Sequence, residues 1–202
     1  MLVVFVAYPC PFKSISKFQR KLGKVLSHLK DFEVVFENDP NGFIERFCSD
    51  QEHLITCRRL PVDMILKTIT HAIIFNDDDA LIALINDIKA MNLPLREIQI
   101  PITKVVNKDK YEPYDVYIGR GSDWGNPYAV GFGRSPDEEP DDRDEAIRKF
   151  KYDFDRDYLK GGKKLKEKIL MLRGKRLGCH CKPLACHGDV LAEYLNSYDD
   201  GK

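Results

Sequence analysis

The chain opens on alternating hydrophobic rhythms. Leu2-Val3-Val4-Phe5-Val6 is an unbroken apolar run, the pattern of a strand buried on both faces. After a turn-rich stretch at 8–13, Ile15, Phe18, Leu22, Val25, Leu26 and Leu29 share one helical face, with Ser14 placed as its N-cap. Residues 33–36 predict a second strand. Asn41-Gly42 then punctuates before a short amphipathic piece carrying Phe43, Ile44 and Phe47. Val62, Ile65, Leu66 and Ile69 mark another helix, and residues 72–75 a third buried strand. That strand runs into Asn76-Asp77-Asp78-Asp79, whose acids suit the start of a helix carrying Leu81, Leu84, Ile85, Ile88 and Met91. Residues 95–102 supply a fourth strand. Strand and helix in alternation predict an α/β fold with a parallel, Rossmann-like sheet.

The rhythm changes over 104–114, which is polar and carries Pro113. A domain boundary is placed there, giving a Rossmann-like domain at 1–103 and a smaller α/β domain at 104–202. The second domain opens on a short strand at 115–118. Next come a glycine-rich segment at 119–127 and an acidic, proline-bearing loop at 136–142. Ile147, Phe150, Phe154 and Tyr158 are spaced as a helix, Gly161-Gly162 breaks it, and Leu165, Ile169 and Leu172 form another helical stripe. A strand at 175–179 and a last helix at 189–196, with Val190, Leu191, Tyr194 and Leu195 on one side, complete the pattern.

Composition narrows the function classes. Hydrophobic residues make up 43% of the chain, enough for a packed core and too many for a disordered chain. The 32 basic and 32 acidic side chains cancel, which disfavours a general polybasic coat but leaves room for a local basic face. No stretch approaches the roughly 20 apolar residues needed to cross a bilayer, so no membrane role is expected. Cysteines stand at 10, 48, 57, 179, 181 and 186, half of them in one eight-residue window. A disulfide framework spreads its cysteines over loops, whereas a site concentrates them, so the expected setting is the reducing cytoplasm.

The densest chemistry lies in Leu177-Gly178-Cys179-His180-Cys181-Lys182-Pro183-Leu184-Ala185-Cys186-His187-Gly188-Asp189, between a predicted strand and a predicted helix. One reading is a zinc site held by Cys179, Cys181, Cys186 and His187 or His180, since thiolates and imidazoles suit that ion. A second is a nucleophilic or anion-binding loop at a helix start, with Cys181 or Cys186 as nucleophile, His187 as base or orienter, and Asp189 as a further catalytic candidate. A third is structural: buried small thiols and a helix-capping imidazole.

The 119–127 segment combines close-approach glycines with recognition groups. Arg120 offers a planar fork for phosphate, Trp124 a face for a base, and Ser122, Asp123 and Asn126 polar contacts to a base edge or ribose. The plain alternative is a tight turn in which Trp124 plugs a core. Between the two segments lie Lys160, Lys163, Lys164, Lys166, Lys168, Arg173, Lys175 and Arg176. They form either a solvated helix face or a track for a phosphate backbone.

Residues from about 103 to 196 resemble the domain-of-unknown-function family 4326 of bacteria and their viruses. The resemblance is carried by Val105-Val106-Asn107, Val116-Tyr117-Ile118-Gly119-Arg120-Gly121-Ser122, Trp124-Gly125-Asn126-Pro127, Leu177-Gly178-Cys179-His180-Cys181-Lys182-Pro183 and Cys186-His187-Gly188-Asp189-Val190-Leu191-Ala192. An aromatic commonly stands in that family where this chain has His180, which turns the expected chemistry away from His180. The tail also resembles family 488, in which Cys-His is commonly followed by Arg; Gly188 replaces that Arg here. The first half resembles, more loosely, nucleotide-binding Rossmann-like domains of phage and conflict systems.

The expected function is an enzyme acting on a nucleotide or nucleic acid, in concrete form a phosphodiester-cleaving hydrolase that nicks DNA. It requires the 119–127 loop and the cysteine loop to face one shared pocket. The rivals are a non-catalytic, zinc-stabilised module that docks a host protein, and a nucleotide sensor.

Overall fold

The computed structural model describes residues 1–128 and 142–201, so the acidic loop expected at 136–142 lies, but for Asp142, outside the described residues. Two units divide the chain: Met1–Ile100 together with Ser197–Lys202, and Pro101–Asn196.

In the first unit β1 (Leu2–Ala7), β2 (Phe32–Phe36), β3 (Leu54–Arg59), β4 (His71–Asn76) and β5 (Leu95–Gln99) form one sheet in the order β3-β2-β1-β4-β5. Every neighbouring pair is parallel. The strands alternate with α1 (Ile15–Leu26), α2 (Phe43–Ser49), α3 (Val62–Thr68) and α4 (Ile82–Ala90). Val4, Val6, Val34, Val35 and Ile74 are fully buried, as apolar runs covered on both faces must be. The strand β3 was not among the expected elements. It lies at the sheet edge, and its Thr56, Cys57, Arg58 and Arg59 break any apolar run. Charge on an edge strand also deters pairing with a second sheet. Ser14 does stand at the N-cap of α1, though its side chain makes no capping bond.

One side of the sheet is filled by rings. Phe18 stacks on Phe75 at 4.8 Å and meets Tyr8 at 5.2 Å and Phe43 at 5.6 Å. The closing segment belongs with this unit and not with the second: Asp200 pairs with the buried Lys17 at 2.9 Å, and Asp199 with Arg20.

The second unit is built on a smaller parallel sheet, β6 (Lys104–Asn107), β7 (Val116–Tyr117) and β8 (Arg176–Cys179), in the order β6-β8-β7. The stretch from 104, expected to be a polar junction, therefore opens with a strand of the second domain. Its two valines are flanked by Lys104 and Asn107, too short a run to stand out. Around the sheet stand α5 (Arg143–Asp155), α6 (Gly162–Ile169) and α7 (His187–Ser197). Tyr158, expected on the α5 stripe, falls beyond that helix. Ile118, Phe150, Phe154, Ile169, Leu177, Leu191 and Leu195 make the core.

Register sets up the site. Asn107 stands beside Cys179 and Tyr117 beside Gly178, so three parallel strands end side by side. The carboxyl ends of parallel strands are where α/β sheets usually take ligands. Among the described residues no helix is long and apolar enough to cross a membrane.

Candidate functional site

The cysteine loop leaves the end of β8 and closes on the start of α7. Cys179, Cys186 and His187 are all buried, and their ligand atoms lie within 4.8 Å of one another. His187 Nε2 is 2.8 Å from the Ile118 carbonyl oxygen. A carbonyl only accepts, so Nε2 donates this bond and Nδ1 is the nitrogen left for an ion. Metal-binding imidazoles are typically held in this way, one nitrogen fixed by a carbonyl and the other free for the ion. The donor set of two sulfurs and one imidazole therefore fits zinc.

The thiols differ in ionisation. Cys179 is held down to about 5 because Cys186 donates to its sulfur, with further help from the Cys181 backbone N–H and the nearby His187. Cys186 is pushed up by donating that bond and by burial. Cys181 is also raised, first by burial and then by the Cys179 sulfur, against the opposing pull of a bond to Arg143.

These groups open onto a cavity of about 350 Å³. Tyr117, Arg120, Tyr128 and Arg143 stand on its walls, with Cys179, His180, Cys181, Cys186 and His187. Arg120 is exposed and donates to nothing among the described residues. Arg143, at the first turn of α5, reaches across to the Ala185 carbonyl at 3.2 Å. Ala146 and Ile147 of the same helix also line the cavity, so the starts of α5 and α7 both border it. Two guanidinium groups and two helix starts make a setting that favours an anion.

Sequence reasoning set His180 aside, yet the structure gives it two partners. His180 Nδ1 is 2.7 Å from Asp109 Oδ2, and its Nε2 is 3.2 Å from the Tyr117 hydroxyl. Its bonds to His180 and Lys108 hold the Asp109 carboxyl below its usual range. An imidazole oriented by a carboxylate and linked to a phenol at a cavity wall is equipped to relay a proton. Asp109, Tyr128 and Arg143 lie outside the family motifs and Tyr117 stands in one without an assigned role, because the four come from separate segments. The parallel register that places Tyr117 next to the cysteine loop was the only available clue.

The remaining expected site residues separate by role. Asp189 accepts the Cys186 backbone N–H at 2.9 Å and also binds Lys182, so its carboxylate fastens the loop at the start of α7 as in a capping box. Asn126 borders the cavity, but its amide is engaged: it donates to the Ala146 carbonyl at 3.2 Å and accepts from the Tyr128 N–H at 2.9 Å. Ser122 donates to the Gly119 carbonyl at 2.8 Å and accepts from the Trp124 N–H at 3.2 Å, fixing the turn.

The one-pocket expectation holds for Arg120 and Asn126 and not for Trp124. Ser122, Asp123 and Trp124 line a different cavity, bordered by Phe150, Leu165 and Leu191. The cause is a tight fold at Gly125, where a Cβ would sit 2.8 Å from the Gly119 carbonyl oxygen and 3.2 Å from Arg120 Cα. That fold sends Arg120 and Trp124 to different cavities. Gly188 is constrained as well: a Cβ there would lie 2.6 Å from Ile118 Cδ1 and 3.2 Å from Cys186 Sγ. No arginine fits at that position in this chain.

Comparison with known proteins agrees with the two-unit division. Residues 1–106 match the minimal SLOG domain, and residues 103–197 match a domain of unknown function, DUF4326. An uncharacterized 12.4 kDa protein from the nrdA-td intergenic region of Enterobacteria phage T4 is 44% identical over 95 residues, spanning 47% of this chain and 79% of the phage protein. No solved structure matches. The chain thus belongs to the DUF4326 family, in which it carries that domain behind a minimal SLOG domain.

Proposed function

We propose that the chain is an enzyme acting on nucleotide units, and that the cavity at the strand ends of the DUF4326 domain cleaves a phosphodiester bond. The observation that carries this reading is the convergence of Arg120 and Arg143 with the Cys179, Cys186 and His187 cluster on one cavity. The guanidinium groups take the phosphate. Tyr117 and Tyr128 supply ring faces suited to a sugar or base. His180, oriented by Asp109, delivers a proton to the departing oxygen directly or through Tyr117. Water supplies the attacking oxygen, so one P–O bond forms and one breaks. Cys179, Cys186 and His187 would hold zinc, which would supply Lewis acidity for hydrolysis at the phosphate. The resemblance of the first domain to nucleotide-binding Rossmann-like domains points to the same ligand class.

A second reading rests on Cys181, whose side chain is hydrogen-bonded to Cys179. Were Cys181 a fourth ligand, the metal shell would be closed and the domain a structural module for a host protein. Metal analysis and turnover by Cys181→Ser separate the two. Retained zinc with retained cleavage supports the enzyme, and lost zinc supports the module. The test of the enzyme itself is incubation of the purified, zinc-loaded chain with labelled DNA, RNA and dinucleotides. Cleavage that chelation abolishes is the expected result, and intact substrates across several divalent metals would overturn it.

A further inference from the structure

The cavity behind Trp124 has a chemistry of its own. It measures about 600 Å³ and lies between the 119–127 turn and α6. Lys160, Lys164 and Lys168 border it, together with Leu165 of α6 and the half-buried Trp124 of the turn. Lys164 and Lys168, four apart on α6, stand one above the other about 6 Å along the axis, and Lys160 comes from the segment just before that helix.

The lysines of this segment divide by direction. Lys166, which is not on the cavity, is held by Asp157 at 2.9 Å and by the Asp155 carbonyl at 3.0 Å. Lys160, Lys164 and Lys168 have no acidic partner among the described residues. From 158 to 188 the sequence holds one acid, Glu167. Lys163 is also without an acidic partner among the described residues but lies off the cavity, so three unpaired cations of this segment border the cavity that Trp124 lines.

We infer that this groove is a track for a single-stranded polynucleotide. It takes the backbone phosphates on Lys160, Lys164 and Lys168 and a base on Trp124. Stacked aromatics beside a basic groove are the general means of holding a single strand without reading its sequence. Asp123, the acid on the same wall, repels phosphate but accepts from the amino group of a base. An acidic peptide would use the lysines and leave the indole without a stacking partner, and the flat face of an anionic bilayer does not enter a concave groove. The tight turn at Gly125 puts Arg120 on the first cavity and Trp124 on the second, so a strand in the groove lies one turn of loop away from the proposed cleavage site. This inference rests on the proposed function insofar as it makes the substrate a strand; binding in the groove is testable without any cleavage.

Trp124 is the chain's single tryptophan, so its fluorescence reports the groove directly. The full chain is titrated with a mixed-sequence single-stranded 12-mer, DNA and RNA in turn, and the same samples are followed by anisotropy of a labelled oligonucleotide. Quenching with saturable binding is expected, with a log–log salt slope of about −2 for three phosphates neutralised on a single strand. Lys164→Glu with Lys168→Glu should weaken binding by about tenfold or more. Trp124→Phe, which keeps a ring in the packing, should bind the labelled strand with a smaller loss. Lys163→Ala, beside Lys164 in sequence but off the cavity, should leave strand binding within about twofold. Binding that survives the double charge reversal, or quenching by anionic vesicles or an acidic peptide but not by the oligonucleotide, overturns the inference. Cleavage of dinucleotides by a chain that does not bind the 12-mer also overturns it while leaving the proposed function intact. Strand binding without cleavage upholds the groove and removes the enzyme.

Discussion

Each domain holds a hydrogen-bonded pair of cysteines, and the pairs have opposite surroundings. In the first domain Cys48 on α2 donates to Cys57 on β3, and that bond, burial and the carboxylates of Asp39 and Glu45 push the Cys48 thiol up. In the second, Cys186 donates to Cys179, but the neighbours are a backbone N–H, the imidazole of His187 and, one residue on at Cys181, the guanidinium of Arg143. Two adjacent thiols are therefore not enough to make a site. A third soft ligand and a cationic wall distinguish the second pair; in the first, the bond from Cys48 lowers the Cys57 thiol as well, but burial and the acids Glu45 and Asp39 oppose it.

The most severe break of that comparison is at the cluster itself. His187→Ala should abolish stoichiometric zinc and destabilise the second domain, whereas Cys57→Ala should leave zinc unchanged. Elemental analysis with calorimetry reads both, and metal retained by His187→Ala would remove the imidazole from the ligand set. Next in size is Gly188→Ala, which forces a methyl against Ile118 and the Cys186 sulfur. Overpacking of this kind costs about 1–3 kcal/mol, measurable by denaturant unfolding. Asp189→Ala removes the carboxylate that reaches back to the Cys186 N–H, for a loss of about 1 kcal/mol without loss of metal. If zinc departs with it, Asp189 does more than fasten the loop. Smallest for stability is Arg120→Ala: an exposed side chain with no partner among the described residues should shift unfolding by no more than about 0.5 kcal/mol.

The two domains were also unequally legible in the sequence. The first announces its fold, because strands such as β1 and β4, covered on both faces, require runs of Val, Ile and Phe. Only its edge strand β3 escaped, since an edge has one partner and tolerates charge. Its chemistry carried no motif. The second shows the reverse. The short β7 and β8 were read as strands, but the two valines of β6 stand between Lys104 and Asn107 at the head of a polar stretch, so β6 passed for a junction. Yet the density of Cys and His over 179–187 marked the segment, with zinc, nucleophilic and structural readings all open, and the structure narrows the candidate metal-holding group to Cys179, Cys186 and His187. The rest of the site depends on tertiary neighbours: Asp109 meets His180 across 71 positions, and Arg143 meets the cysteine loop across more than 40. A turn at a single glycine decided which cavity each residue of the 119–127 loop would serve, and nothing in residue type alone foretells that.

The central claim is that Arg120 faces the sulfur–imidazole cluster in order to hold a phosphate for cleavage. The most direct test compares phosphodiester cleavage by the zinc-loaded wild-type chain and by Arg120→Ala, at matched thermal stability and zinc content. The account predicts cleavage by the wild type and a loss of at least about tenfold in the variant, whose missing charge-assisted bonds are each worth about 1.5–3 kcal/mol. Equal turnover by the two proteins, or no turnover by either, would contradict it.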